Sequence, residues 1–323
     1  MNTSNTQRIL PRILRRCGRL TWKLLPEPAQ NTKLLRRVGR WIYRHFTSKT
    51  MRFQSHYTQF MRNPSLVGTV AHLAVERAAS RPLRMTSIGC STGAELYSVI
   101  AMVRSAAPDA RIQAFGIDLA SDVVDAARNG VYWPGKSSAT NSVFESGRPE
   151  VLVHEAPGLL NILYPQADGS LHVRAHLKKD VEWLVSDASD RNLVKRIGRQ
   201  DVVLANNVLG PMDDGLAARC LQNLMTLVRP GGYLVIDGVE QNLKYRLLAS
   251  SGFTPILSNA REIWNGDPSK KGWPWVRWGH EPFSTDEGWH ILKVTIFRND
   301  ADVIAGRHPV LVAEEAVGER YLV

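Results

Sequence analysis

The chain has 323 residues, of which 44% are hydrophobic, and it carries a formal net charge of +11 at neutral pH. This length allows one or two domains with a large buried core. The absence of any run of 18 apolar residues argues against a transmembrane helix, and three scattered cysteines argue against a disulfide framework and for a reducing compartment, the cytoplasm.

Residues 1–52 hold most of the excess positive charge, with 13 Lys and Arg residues and a single acid, Glu27. Apolar residues recur at helical spacing on both sides of residues 26–28, with arginines between them, which predicts two basic amphipathic helices. Three interpretations of this extension stay open. The first is a helical subdomain packed on the rest of the chain. The second is a surface that binds an anionic partner, such as membrane lipid, an acidic protein or nucleic acid. The third is an organelle-targeting peptide. Binding to lipid would make the protein peripheral to a membrane.

The next informative feature is a glycine turn between a predicted strand and a predicted helix. The strand is residues 83–88, the turn runs from Gly89 to Gly93, and the helix follows. Such a turn puts backbone N–H groups beside a ligand at the carboxyl end of the strand. A second apolar run, residues 112–117, ends in Asp118, where an acid can hold ribose hydroxyls. Together these features predict a nucleoside cofactor site, although the turn has neither a Gly-x-Gly-x-x-Gly nor a P-loop sequence.

Apolar runs alternate with helical patterns over most of the remaining chain. The predicted strands are 83–88, 112–117, 181–185, 201–206, 232–238, 253–257 and 289–298, and the predicted helices are 64–79, 92–106, 121–129, 189–197, 213–228 and 240–250. This alternation predicts an α/β fold with right-handed crossovers and a mostly parallel sheet. The composition of residues 133–180 predicts a long connection, and residues 301–323 are predicted to be a peripheral tail.

Several stretches match one known family in the same order along the chain. They are Thr58–Arg62, Gly89–Gly93 with Glu95, Tyr97 and Ser98 after it, Gly116–Ala120 with Ala127–Tyr132, Leu177–Trp183 with Asp187 after it, Asp201–Leu209 and Val228–Glu240. Together they resemble the CheR-type methyltransferases, which modify chemotaxis receptors and use S-adenosylmethionine. The resemblance covers about residues 55–240.

The resemblance implies S-adenosylmethionine as the cofactor and a Rossmann-like class I methyltransferase fold, in which a seven-stranded, mostly parallel sheet has an antiparallel last strand. We expect a methyltransferase domain at residues 53–300, between the basic extension 1–52 and the tail 301–323. The residues expected to bind the cofactor are Thr58, Arg62, Gly89, Ser91, Thr92, Gly93, Glu95, Asp118, Asp187, Asn206 and Asn207.

For several of these residues a purely structural role stays open. Ser91 and Thr92 can cap the following helix, and Glu95 can be a first-turn acid favoured by the helix dipole. Asp118 can be a turn residue, and Asp187 can be a helix N-cap.

The sequence departs from the family at the motif after the fourth strand. The family has Arg-Asn-Val-x-Ile-Tyr-Phe there, whereas this chain has Asn-Asn-Val-Leu-Gly-Pro-Met at residues 206–212. Asn207 keeps the asparagine, Asn206 replaces the arginine, and Pro211 replaces the tyrosine that helps to position the methyl acceptor. Because proline has no hydroxyl, we expect a CheR-type cofactor pocket with a different acceptor pocket.

Residues 262–289 are the candidate for that acceptor pocket. This Trp-rich segment holds five of the nine tryptophans, together with His280 and Glu281, and His290 directly follows it. Clustered tryptophans can stack on a sugar, a base or an aromatic ligand, or enclose a cation. The alternative is a lid that packs on the core or an oligomer interface. Arg62 and His280 are weak catalytic candidates, and no Cys/His cluster has metal-ligand spacing, so no metal is expected.

The first hypothesis is a methyltransferase that modifies an oxygen or nitrogen atom of an acceptor such as a small molecule or a glycan. The second is a protein-glutamate or other protein methyltransferase with a rebuilt acceptor site. The third is a non-catalytic module that binds S-adenosylmethionine, for which the loss of the family tyrosine at Pro211 is the argument.

Overall fold

The computed structural model describes residues 24–26, 32, 34–35, 56, 58–135, 148–151, 158–267 and 289–301. Nearly all of the predicted basic helices, residues 302–323 of the predicted tail and residues 268–288 of the Trp-rich segment, including His280 and Glu281, lie outside the described residues. Within the described ranges, none of the helices combines the length and apolar character needed to cross a membrane.

Eleven strands and ten helices have both of their ends within the described ranges. The strands are β1 (Leu83–Ile88), β2 (Ile112–Asp118), β3 (Val131–Pro134), β4 (Glu150–Val151), β5 (Leu163–Pro165), β6 (Leu171–Val173), β7 (Val181–Val185), β8 (Gln200–Leu204), β9 (Val228–Val235), β10 (Phe253–Pro255) and β11 (Ile296–Asn299). The helices are α1 (Pro64–Ala78), α2 (Ala94–Ala106), α3 (Ser121–Asn129), α4 (Leu159–Ile162), α5 (Ala175–Lys178), α6 (Leu193–Ile197), α7 (Asp214–Leu227), α8 (Gln241–Leu248), α9 (Ala260–Gly266) and α10 (Trp289–Leu292).

Seven strands form the main sheet in the order β10-β11-β9-β8-β1-β2-β7. The neighbours from β9 through β8, β1 and β2 to β7 pair in parallel, whereas β11 is antiparallel to both β9 and β10. Ile88 at the end of β1 pairs with Ile117 near the end of β2, so both strands finish at the same edge. The predicted Rossmann-like sheet with an antiparallel last strand is confirmed.

Both faces of the main sheet are covered by helices. Alternate residues of a strand point to opposite faces, and in β8 Val202 and Leu204 belong to one buried cluster while Val203 belongs to the other. Residues of α1 and α2 complete the first cluster, and residues of α7 and α8 complete the second. Burial on both faces explains why the last three residues of β8, Val202 to Leu204, are all apolar rather than alternating with polar ones.

The prediction of a long connection at residues 133–180 was wrong. This part of the chain contains β3 to β6, which form a second, four-stranded sheet in the order β4-β3-β6-β5. Strands β5 and β6 form a hairpin whose turn contains Gly169 at φ +82° and Asp168, which accepts hydrogen bonds from the Ser170 N–H and hydroxyl at 2.9 and 2.6 Å. These strands have two to four residues each, too few for an alternating pattern to stand out from a loop.

The predicted last strand, residues 289–298, was wrong in its first part. Trp289–Leu292 form the short helix α10, and only Ile296–Asn299 form β11. Trp289 and Ile291 pack against the second core cluster. The apolar run therefore combines a helical turn and a strand that both contribute to the core, and a run of this kind has no periodicity that separates them.

Candidate functional site

The candidate site lies at the carboxyl edge of the main sheet, where β1 ends and α2 begins. Gly89 and Gly93 have φ angles of +65° and +86°. A Cβ atom at Gly89 would lie 2.5 Å from the Val208 side chain, and one at Gly93 would lie 2.6 Å from the Trp183 ring. Backbone conformation and space therefore both require glycine at these positions.

Asp118, the last residue of β2, contacts the glycine turn from the neighbouring strand. Its Oδ2 atom accepts a hydrogen bond from the Ser91 N–H at 2.8 Å, and its Oδ1 atom accepts one from the Ala120 N–H at 3.2 Å. Ser91 has a φ of +49°, a strained value for a residue other than glycine. A carboxylate has about four acceptor positions. The buried Asp118 side chain can therefore hold the turn and still accept hydrogen bonds from a ligand.

Glu95 lies in the first turn of α2 and is hydrogen-bonded to two residues at the same edge of the sheet. The Asn206 side-chain amide donates to its Oε1 atom at 2.7 Å, and the Ser87 hydroxyl donates to its Oε2 atom at 3.4 Å. Burial raises the pKa of Glu95, although Asn206, the Arg62 charge and Ser87 each lower it. The carboxylate is thus a costly charge in this protein without a ligand, and a cation bound beside it would make it less costly.

The segment before α1 is tied to the glycine turn. The Ser91 hydroxyl donates to the His56 carbonyl oxygen at 2.7 Å, and the Met61 N–H donates to the Ser98 hydroxyl at 3.0 Å. Thr58 is partly buried between these two ties. They bring the motif at residues 58–62 to the site, as the sequence predicts, and the ligand contacts of Thr58 stay a prediction.

Arg62 is placed between two acids. Its charge acts on Glu95, and its Nε atom lies 3.9 Å from Oδ1 of the buried Asp267. Asp267 directly follows α9, and the Asn63 amide donates to the Ile263 carbonyl oxygen at 2.7 Å, which holds α9 against the start of α1. The beginning of the Trp-rich segment therefore packs beside the predicted cofactor residues.

Two buried oxygen atoms of the site have no hydrogen-bond partner among the described residues. They are the Thr92 hydroxyl oxygen and the Asn206 side-chain carbonyl oxygen. Buried polar atoms are usually satisfied, so an unsatisfied pair at one edge is typical of a site that a ligand completes. At the carboxyl edge of the sheet, these atoms fit a bound nucleoside cofactor.

Two other predicted cofactor residues, Asp187 and Asn207, have surroundings that give them a structural role. Asp187 follows β7, where its Oδ1 atom accepts hydrogen bonds from the Ser189 N–H and hydroxyl, both at 2.8 Å. This is the local turn that a structural aspartate makes. Asn207 is exposed, has a φ of +60° and packs its backbone against Gly238. Their cofactor contacts stay predictions.

Three aromatic residues that the sequence reasoning did not assign support the turn. The Tyr132 hydroxyl donates to the Thr92 carbonyl oxygen at 2.5 Å, and its ring meets the edge of Phe60 with centroids 5.1 Å apart. The Trp183 ring fills the space above Gly93 and Gly116. Tyr132 and Trp183 end two of the matched motifs, which was the available signal.

Cys90 lies within the turn but is not a reactive group. It is buried, and burial followed by the charge of Asp118 raises the pKa of its thiol well above the usual value. The thiol therefore stays neutral, as expected for a small residue that fits a tight turn. Within the described ranges, no group of three His, Cys, Asp or Glu side chains is arranged to hold a metal ion.

Comparison with known proteins adds a family to this geometry. Residues 56–146 match the family model described as CheR methyltransferase, SAM binding domain. This match covers the segment before α1, the glycine turn and Asp118. It confirms the resemblance to CheR-type methyltransferases and the prediction of S-adenosylmethionine as the cofactor.

Several individual proteins are also similar to this chain. The probable biofilm formation methyltransferase WspC is 29% identical over 205 residues in Pseudomonas putida and 26% identical over 204 residues in Pseudomonas aeruginosa, covering 62% of this chain and 44% of each relative. Chemotaxis protein methyltransferase 2 of Vibrio cholerae is 23% identical and covers 54% of this chain and 57% of its own length. The chain thus spans about half the length of the curated relatives it matches.

Among solved structures, this chain is similar to magnesium protoporphyrin IX methyltransferase (ChlM) from Synechocystis PCC 6803, crystallised with bound SAM. Its TM-score is 0.33 at 13% sequence identity, covering 79% of this chain and 90% of that chain.

Proposed function

We propose that this chain is an S-adenosylmethionine-dependent methyltransferase that modifies an oxygen or nitrogen atom of an acceptor such as a small molecule or a glycan. The observation that carries the proposal is a pair of hydrogen bonds at one edge of the sheet. Asp118 accepts one from the glycine turn, and Glu95 accepts the other from Asn206. The family match over residues 56–146 supports the same conclusion.

The chain's own residues bind and orient in this proposal. The backbone of the glycine turn and Thr92 hold the methionine part of the cofactor, Asp118 accepts from the ribose hydroxyls, and Glu95 accepts from the ammonium group. Arg62, which is always protonated, orients an anionic group and cannot act as a base. When bound, the cofactor supplies a methyl group on a positively charged sulfur, and the protein lowers the barrier mainly by aligning the acceptor with it.

Charge at the site argues against a carboxylate acceptor. The acids Asp118, Glu95 and Asp267 lie at the site, where the charge of Arg62 acts on Glu95 and is already paired with Asp267. This excess of negative charge complements a cationic cofactor and repels an anionic acceptor. The family arginine that would add a positive charge is Asn206 here, and the family tyrosine is Pro211.

A second candidate is a protein methyltransferase with a rebuilt acceptor site. It is favoured by the Vibrio cholerae relative, whose name is chemotaxis protein methyltransferase 2. A non-catalytic cofactor-binding module is the third candidate, favoured by Pro211 in place of the family tyrosine. An assay of turnover separates the third candidate from the other two. A non-catalytic module binds S-adenosylhomocysteine but does not produce it from S-adenosylmethionine with any acceptor.

The acceptor side and the domain division complete the proposal. The Trp-rich segment begins beside Arg62, because Asp267 contacts that residue, and this supports a role of residues 262–289 in acceptor binding. We assign residues 53–300 to the methyltransferase domain and residues 301–323 to a tail. We assign residues 1–52 to contact with an anionic partner, at a membrane or elsewhere in the cytoplasm. A comparison of the full chain with residues 53–323 for binding to liposomes and to nucleic acid would test this role.

The decisive experiment is calorimetric titration of the full chain with S-adenosylhomocysteine. Asp118→Ala should weaken binding by about 1.5–3 kcal/mol, the cost of losing hydrogen bonds to a charged group. Asp109→Ala, an exposed aspartate at the opposite edge of the sheet, is the matched control and should bind as the wild type does. Absence of binding by the folded wild-type protein would refute the proposal. An acceptor screen with hydroxyl, amine and glutamate-containing compounds then ranks the candidates.

A further inference from the structure

Four arginines surround one buried carboxylate at the amino edge of the main sheet. We call Arg77, Arg81, Arg84 and Arg229 the arginine cluster. The carboxylate belongs to Asp201, the second residue of β8, which is fully buried. Asn206 at the candidate site lies five residues further along, roughly 16 Å away in an extended chain. The cluster and the cofactor residues therefore lie at opposite edges of the same sheet.

Asp201 is shared by all four members of the cluster. Its Oδ1 atom lies 2.6 Å from Arg81 Nη2 and 3.4 Å from Arg229 Nη1. The same oxygen lies 3.7 Å from Arg77 Nε, and the Oδ2 atom accepts a hydrogen bond from the Arg84 backbone N–H at 2.9 Å. This one carboxylate is the centre around which three guanidinium groups are arranged.

The charges of the cluster do not balance. Asp201 neutralises one of four guanidinium charges, so a surplus of three remains. Burial lowers the pKa of Arg229, and the charges of Arg81, Arg84 and Arg77 lower it further, against the attraction of Asp201. Mutual repulsion of this kind is relieved by an additional anion, and guanidinium groups that have already lost part of their hydration bind one more strongly than fully exposed groups.

Hydrogen-bond donors are also in excess. The Nε atoms of Arg77 and Arg81 are buried and have no hydrogen-bond acceptor among the described residues. The guanidinium group of Arg84 donates to the Gln113 side chain and the Ile197 carbonyl oxygen. Arg77 and Arg229 each use one of their five N–H donors on a backbone carbonyl oxygen, that of Pro230 at 3.4 Å and that of Arg199 at 2.8 Å. The side chains of Arg77, Arg81 and Arg229 are 26%, 40% and 21% exposed, so a ligand can reach all three from solvent and Arg81 most readily.

We propose that the arginine cluster is a binding site for a multiply charged phosphoryl anion. A surplus of three positive charges suits a divalent or trivalent anion better than a single carboxylate. Guanidinium groups match the tetrahedral oxygens of a phosphoryl group with paired N–H donors. Bound there, the anion would join the end of α1, the entry to β1 and the start of β9, and it would leave the cofactor site free.

Titration with inorganic pyrophosphate at constant ionic strength tests this site. Arg81→Gln should weaken pyrophosphate binding about tenfold or more, since it removes a charge-assisted pair. Arg246→Gln, an exposed arginine in the last turn of α8, is the matched control and should change binding less than about twofold. The basic residues 1–52 are identical in both proteins, so their own binding of pyrophosphate cancels in the comparison. Unchanged binding of S-adenosylhomocysteine shows that both variants are folded.

Three results would overturn the proposal. The two variants could bind pyrophosphate equally, chloride at the same ionic strength could displace it completely, or Arg81→Gln could weaken binding of a hexaglutamate peptide more than it weakens binding of pyrophosphate. If Arg81→Gln fails to fold, phenylglyoxal modification of the wild-type protein replaces it. Pyrophosphate should then protect Arg81 and Arg229 and leave Arg246 reactive, and equal reactivity of all three would count against the site.

Discussion

Replacing Glu95 by glutamine should separate cofactor binding from stability. Glutamine keeps an oxygen that can accept from Asn206, but it removes a negative charge whose pKa is raised by burial. A charge-assisted hydrogen bond to the cofactor ammonium is worth about 1.5–3 kcal/mol. We therefore expect Glu95→Gln to weaken S-adenosylhomocysteine binding about 10- to 150-fold.

The same substitution should not destabilise the protein without its ligand. A carboxyl whose folded-state pKa is raised above its ordinary value of 4.5 contributes stability below that pH and loses it as the pH rises through the folded-state value. The wild type should therefore lose stability relative to Glu95→Gln over that window. At neutral pH the free energy of unfolding of the variant should equal or exceed that of the wild type.

Urea denaturation between pH 4.5 and pH 8, combined with calorimetry, checks both expectations. Glu182→Gln, which changes an exposed acid of β7, is the matched control and should alter neither quantity. A variant at Glu95 that loses more than about 1 kcal/mol of stability at neutral pH and keeps its affinity would refute the reasoning. That outcome would identify Glu95 as a first-turn acid that stabilises α2 through the helix dipole.

Two further predictions concern the fold. Gly116→Ala should lower the free energy of unfolding by about 1–3 kcal/mol, because the new Cβ atom would lie 2.1 Å from the Trp183 ring. Gly68→Ala in α1, where the space around the glycine is open, should raise it by up to about 1 kcal/mol. Similar unfolding midpoints for the two variants would contradict this expectation. Asp201→Asn should lower the free energy of unfolding by about 3 kcal/mol, since it leaves the arginine cluster without its buried anion, and Asp109→Asn is the exposed control in the same denaturation assay. A loss below about 1 kcal/mol would show that the cluster does not depend on Asp201.

The main sheet could be predicted because its central strands are buried on both faces. Such strands are mostly apolar between polar turns, and the central strands β1 and β2 were predicted with bounds that agree with the structure to within one residue. The edge strand β7, in which buried and exposed residues are mixed, was predicted at its observed bounds as well. The sequence predicted Asp118 and the glycine turn in one site, because neighbouring parallel strands end at the same edge. The hydrogen bond from the Ser91 N–H to Asp118 was not predicted. The second sheet had no comparable signal, since its strands are too short to show a period.

The side-chain environment of the site could not be predicted in the same way. Asp267 approaches Arg62 across more than two hundred residues, and Asn206 reaches Glu95 across 111. Such contacts depend on how α9 and the end of β8 pack, and they leave no spacing in the chain. The neighbours of Trp183 were equally hidden, because Gly93 and Gly116 belong to different motifs that only the folded sheet brings under one ring.

The hydrogen bonds from Ser91 to His56 and from Met61 to Ser98 link the candidate site to residues that precede α1. The strands of the main sheet and the helices named above begin at Pro64 or later, whereas Ser91 of the glycine turn and Ser98 of α2 are each hydrogen-bonded to a residue before that point. A fragment that begins at α1 could therefore keep a cooperative unfolding transition and still fail to hold a nucleoside. We therefore expect the shortest portion that folds to be smaller than the shortest portion that binds, and deletions that end between residues 56 and 64 test this difference.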